Sequence, residues 1–142
     1  MELLQKLTRR QVEVLLTIKG LPLKKKGVQL EDIASALGVS PPTALEHVKA
    51  LQYLGLVRRV AGKTRVTSRG EACINEYWRH HRVAESLFFT LHFPADRACE
   101  AAKMVDLALS HEIIDRLCSV QGHPRACPHG QPIPPCSEEM NR

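Results

Sequence analysis

The stretch DIASALGVSPPTALEHVKALQYLGLV, residues 32–57, decides the fold of this chain. Its apolar residues recur every three or four positions, a helical rhythm that glycine interrupts twice. Leu30, Ile33, Ala34 and Leu37 share one face of a short helix that Gly38 ends. Ser40 can cap a second helix, with Pro41 in the first turn, where a missing N–H is harmless. Ala44, Val48, Leu51 and Leu54 form the buried stripe of that helix, and Gly55 stops it. Two helices joined by so short a turn suit a helix-turn-helix, whose second helix presents its N-terminal residues to the major groove.

The flanks agree with that reading. Upstream, LTRRQVEVLLTIKGL places Leu7, Val12, Leu15, Leu16 and Ile18 at helical spacing, and PLKKKG breaks the pattern. Downstream, LVRRVAGKTRVTSRG changes period: Val57, Val60, Val66 and Thr67 flank AGKT, a glycine-containing turn between two β-prone runs. Residues 1–70 are thus expected to form a winged helix-turn-helix with a two-stranded wing. After Gly70, EACINEYWRHHRVAESLFFTLHF predicts one long helix ending near Pro94. A further helix is expected to about Leu109, and Ser110 can cap another over about residues 111–120. Residues 71–142 therefore read as an all-helical second domain with an irregular, proline-rich tail, and the fold class is mainly α.

Charge divides along the same line. Residues 1–70 carry thirteen Lys and Arg against five Asp and Glu, whereas residues 71–142 carry seven against ten. All five cysteines and six of the seven histidines lie in the second half. A basic front half suits a polyanion such as DNA; an acidic half rich in histidine and cysteine suits cations or a protein partner. No stretch approaches the roughly 20 apolar residues needed to span a bilayer, and MELLQKLTRR lacks the form of a secretory signal. A cytoplasmic protein is expected, with its odd number of cysteines kept as thiols. A hydrolase built on His81, Glu85 and Asp106 finds no support in a phosphate loop, a nucleophile elbow or an HExxH motif, so the chain reads as no enzyme.

Four segments together, DIASALGVSPPTALEHVKALQYLGLV, VTSRG, HRVAESLF and HPRACPHGQPIP, resemble the iron- and manganese-dependent repressor family typified by the diphtheria toxin repressor and the manganese transport regulator. The resemblance covers nearly the whole chain. It implies a homodimer that represses transcription by binding palindromic operators when a divalent metal such as Fe, Mn or Zn is present. Some members carry a further SH3-like domain, for which this chain is too short.

His81 and Glu85 lie four residues apart on one helix face, and imidazole with carboxylate suits a divalent transition metal. The resemblance makes them the family's histidine–glutamate pair and puts Cys99 near that site's next ligand. A thiolate there would shift preference toward zinc or iron. The family's second site aligns with Lys103, Asp106 and Leu107, of which only Asp106 can ligate, while Glu13 matches a ligand from the DNA-binding domain. We therefore expect Lys103 to pair with Asp106 or Glu13 and to replace the second metal by a salt bridge; a solvated surface lysine is the alternative. His80, His92 and His111 are spare candidates, His80 pointing about 100° away from His81. CPHGQPIP resembles a segment the family uses structurally, so Cys127 and His129 are expected not to ligate.

On the DNA side, the resemblance gives the Ser40, Pro42 and Thr43 stretch phosphate contacts and packing against a thymine methyl. Glu46 could accept from cytosine, and His47 and Lys49 could add phosphate contacts. Arg58, Arg59, Lys63 and Arg65 on the wing read as backbone binders, or else as a solvated charged hairpin. A rival sensor would use Cys99, Cys118, Cys127 and Cys136 for an iron–sulfur cluster or for redox sensing.

Overall fold

The computed structural model describes residues 3–135, so Cys136 lies outside the described residues. The helices are α1 (Leu3–Lys6), α2 (Arg9–Gly20), α3 (Leu30–Leu37), α4 (Pro41–Tyr53), α5 (Ser68–Thr90), α6 (Ala95–Lys103) and α7 (His111–Val120). Three short strands accompany them: β1 (Val28–Gln29), β2 (Val57–Val60) and β3 (Lys63–Val66). The chain divides into two compact units. One comprises Leu7–Ile74; the other joins α1 to the residues from Asn75 onward. The expected break at residue 70 thus falls four residues later, inside α5, and α1 groups with the second half. No helix is long and apolar enough to cross a membrane among the described residues.

In the first unit, α2 and α4 begin where the sequence supplies a cap, whereas α3 follows Gln29 without a side-chain cap. Thr8 and Gln11 make a reciprocal capping box at the start of α2, and Val12, Val14, Leu15 and Ile18 are buried along it. The Ser40 side chain accepts from the Thr43 N–H, and Pro41 and Pro42 fill the first turn of α4. Ala44, Val48 and Leu51 are fully buried. Strands β2 and β3 pair antiparallel with Val60 opposite Lys63, leaving Ala61 and Gly62, both at positive φ, as a two-residue turn.

The wing has three strands, not two. β1 pairs with β3, setting Val28 opposite Thr64 and giving the order β1-β3-β2. Two residues are too few to show a period of two, so alternation could not announce this strand. Gly27 allows the approach, since a Cβ there would lie 2.6 Å from the Lys63 Cβ. The hairpin is tied to the following helix by Thr67, whose hydroxyl donates to the Gly55 carbonyl (2.6 Å) and accepts from the Gly70 N–H (3.1 Å).

In the second unit, Val83, Ile114, Cys118 and Ile133 form a buried cluster that Leu109 and Leu117 cover. α6 stops at Lys103, and hydrogen-bonded turns lead to the Ser110 cap of α7, so the helix expected to reach Leu109 is shorter. The proline-rich segment has no helix or strand among the described residues, but specific bonds order it. Ala126 and Pro132 bridge, the Cys127 N–H donates to the Gln131 carbonyl and the Ile133 N–H donates to the Arg125 carbonyl. Two arginines of α5 fasten this strap. Arg82 donates to the Pro132 carbonyl (2.6 Å), and Arg79 donates to the Pro134 carbonyl (3.2 Å) and to Asp115 (2.6 Å). Burial opposes the charge of Arg79, but bonds to Asp115 and Cys118 outweigh it and raise its pKa.

Candidate metal centre and nucleic-acid interface

α5 places His81 and Glu85 one turn apart, both buried. His81 Nδ1 is 2.9 Å from Asp106 Oδ2. A carboxylate can only accept that bond, so Nδ1 donates to Asp106 and Nε2 faces the other way. Nε2 lies 3.4 Å from Glu85 Oε2 and 3.4 Å from Cys99 Sγ. One nitrogen, one oxygen and one sulfur thus converge on a common point, while Asp106 fixes the ring from behind. Tyr77 stacks on His81 and Trp78 meets it edge-on, so two aromatic rings wall the imidazole.

The other carboxylate oxygen of Glu85 faces the strap. His129 Nδ1 lies 2.7 Å from Glu85 Oε1, and His129 Nε2 lies 2.9 Å from Asp96 Oδ1. Cys127, buried, offers its sulfur to the same group, so Glu85, Cys127 and His129 form a second set of donors. The bond to Asp96 and then the bond to Glu85 raise the His129 pKa, since each carboxylate favours the imidazolium. Burial first, and then the Glu85 charge, push the Cys99 thiol up; the Lys103 ammonium pulls the other way.

Of the expected metal residues, His81, Glu85 and Cys99 are brought together. Asp106, the residue of the second-site positions expected to ligate, is fully buried and lies against His81. Lys103 is exposed at the end of α6, and its charge acts on Cys99. Glu13 lies on the exposed side of α2, with the Arg10 guanidinium 3.5 Å away. Cys127 and His129, expected to stand aside, are both placed beside Glu85, where they could also ligate. Their spacing gave no helical or zinc-ribbon signal, because a strap pinned by distant arginines delivers them. Cys118 joins no group of metal donors among the described residues; its sulfur lies 3.6 Å from His123 Nδ1 and 3.9 Å from Arg79, within the apolar cluster.

In the first unit, Pro42, Glu46 and Lys49 are exposed on α4, and His47 is half-buried. The hydroxyls of Ser40 and Thr43 bond to each other at 3.0 Å. Pairing sets Arg58 opposite Arg65, both exposed, and Lys63 donates to the Lys24 carbonyl. Arg58, Lys63 and Arg65 line a cleft of about 630 Å³ together with Lys25 and Lys26, which sequence reading had treated only as a helix break. Strand alternation turns Arg59 to the other side, where it lines a hollow with Lys49, Gln52 and Tyr53.

Two family models match the chain in tandem. Residues 67–135 match the iron dependent repressor, metal binding and dimerisation domain; residues 4–66 match the LexA DNA binding domain. The transcriptional regulator MntR of Escherichia coli O6:H1 is 28% identical over 85 residues, covering 59% of this chain and 55% of that protein. The chain spans about half the length of the curated relatives it matches. Among solved structures, hypothetical protein SSo2273 from Sulfolobus solfataricus superimposes with a TM-score of 0.83 at 36% identity, covering 90% of this chain and 99% of that one. A manganese-dependent transcriptional repressor in complex with manganese gives a TM-score of 0.68 at 27% identity, covering 87% of this chain and 57% of that one.

Proposed function

Residues 67–135 match the metal binding and dimerisation domain of iron dependent repressors and residues 4–66 a DNA binding domain, and from that premise we propose that the chain belongs to that repressor family and represses transcription by binding DNA in response to a divalent metal. Its two matched parts are those of transcriptional regulators, not of enzymes. One observation carries the reading: the two oxygens of Glu85 face two donor sets, His81 with Cys99 on one side and Cys127 with His129 on the other.

These residues fit a transition metal. Imidazole, carboxylate and thiolate together favour zinc or iron(II) over manganese, which prefers oxygen. An ion held there by His81, Glu85, Cys99, Cys127 and His129 would supply positive charge, and because these donors come from α5, α6 and the strap, holding it would favour the arrangement that brings those three together. Asp106 keeps the His81 lone pair directed at the site. Lys103 serves as an internal cation near Cys99, in place of a further metal.

DNA is engaged through the front unit. The start of α4, with Ser40, Pro42, Thr43, Glu46, His47 and Lys49, enters the major groove, and the cations of the wing hold phosphates. A homodimer sets two such helices about 34 Å apart on a palindromic operator. Metal promotes this only by its preference for the DNA-competent arrangement. The protein works in the cytoplasm, where its thiols stay reduced. Fluorescence anisotropy on a family-type palindrome tests the reading, with chelator and then with Zn²⁺, Fe²⁺ or Mn²⁺, for wild type and Glu85→Gln. Tighter binding with at least one ion, lost in Glu85→Gln, is expected. Wild-type binding that no ion changes would overturn the proposal.

A further inference from the structure

On another side of α5 lies a second group of metal-type donors. Glu76 and His80 stand one turn apart on the helix, and His111 meets them from the first residue of α7. His80 Nε2 is 3.0 Å from His111 Nδ1, and His111 Nε2 is 2.9 Å from Glu76 Oε1. The two imidazoles meet at 81° with centroids 4.9 Å apart. One donor atom from each of the three residues lies within 4.8 Å of the others. We propose that Glu76, His80 and His111 form a cation site of their own, taking a divalent ion such as zinc or cobalt, separate from the centre at Glu85.

The geometry accommodates an ion as well as a hydrogen-bond chain. Two nitrogens bound to one ion at about 2.0–2.1 Å each sit a little over 3 Å apart in tetrahedral coordination, close to the 3.0 Å between His80 Nε2 and His111 Nδ1, and Glu76, now at the opposite nitrogen of His111, joins them by releasing that bond. His80 is fully buried, so its ring is held in place facing His111. The His111 side chain is 45% exposed and that of Glu76 19%, so water can enter and complete the coordination. The α7 N-terminus opposes a cation, and the Glu76 carboxylate and Glu112 in the first turn offset it. The two groups differ in chemistry. This one offers nitrogen and oxygen only, whereas the Glu85 centre brings two sulfurs. His80 and His81 are adjacent on α5 and so diverge by about 100°, which gives each group its own side of the helix.

This site stands or falls independently of the reading at Glu85, because cobalt separates them. A cobalt ion held by Cys99 or Cys127 shows a thiolate-to-cobalt charge-transfer band, and an ion at Glu76, His80 and His111 does not. The test is Co²⁺ titration of the reduced full chain, comparing wild type, His111→Ala and Glu76→Gln; both changes spare the buried His80. Each variant is expected to bind one equivalent fewer than wild type, with the charge-transfer band intact. Equal stoichiometry in all three overturns the proposal. Imidazole NMR of wild type gives a second measurement free of any folding question: Zn²⁺ should shift the His80 and His111 ring signals. Rings that stay unmoved at saturating Zn²⁺ also overturn it.

Discussion

Asp106→Asn separates a residue that positions from a residue that ligates. Asp106 is fully buried, and its Oδ2 takes the His81 Nδ1 proton at 2.9 Å. Asparagine keeps the shape and can still accept that bond through its amide oxygen, but it removes the charge that makes Nε2 a stronger donor. Loss of such a carboxylate behind a ligating imidazole lowers metal affinity about 10–100-fold, or about 1.4–2.7 kcal/mol. Stoichiometry at saturation should not change, because Nε2 still meets Glu85 and Cys99. The assay is competition for Zn²⁺ against a chromophoric chelator, with the end point counted separately from the midpoint. An end point lower by one equivalent would make Asp106 a ligand and refute the reasoning. An unchanged midpoint would show that its charge does not reach the site.

Three further outcomes follow from the same structure. Gly70→Ala pushes a Cβ into the Leu56 carbonyl oxygen and to 2.7 Å from Val66 Cγ1; a net loss of about 1–3 kcal/mol in urea unfolding is expected, despite alanine's better helix propensity. Arg58→Ala, on the exposed side of the wing, should weaken binding about equally for all DNA sequences and reduce the slope of log K against log salt by about 1; an unchanged slope would remove Arg58 from the phosphate contacts. Lys103→Glu replaces the internal cation by a carboxylate and should admit one more cation per chain in metal analysis, so unchanged stoichiometry would return Lys103 to an ordinary surface role.

What sequence conveyed depended on whether the signal was local. The Ser40 cap, the prolines after it and the stripe Ala44, Val48, Leu51 placed α4 without help, because capping and periodicity act within one or two turns. The His81–Glu85 pair was legible for the same reason. β1 was not, since its two residues are strands only by virtue of β3. The placement of Cys127 and His129 beside Glu85 is not legible in the sequence, because it depends on Arg79 and Arg82, more than 40 residues upstream, donating to carbonyls of the strap. The contact of Asp106 with His81 is not legible either, because α6 ends at Lys103 and it is the following turn that carries Asp106 to His81. Lys25 and Lys26 looked like punctuation, and only folding set them beside the wing.

The arginine fastening of the strap has a kinetic consequence. Donors that arrive on a segment already tethered by guanidinium bonds need little reorganisation to receive an ion, so capture and release need not wait for the chain to fold and unfold. A zinc finger, by contrast, couples its ion to its whole fold and gives it up only on collapse. A detector whose scaffold survives the empty state can follow a falling concentration as readily as a rising one.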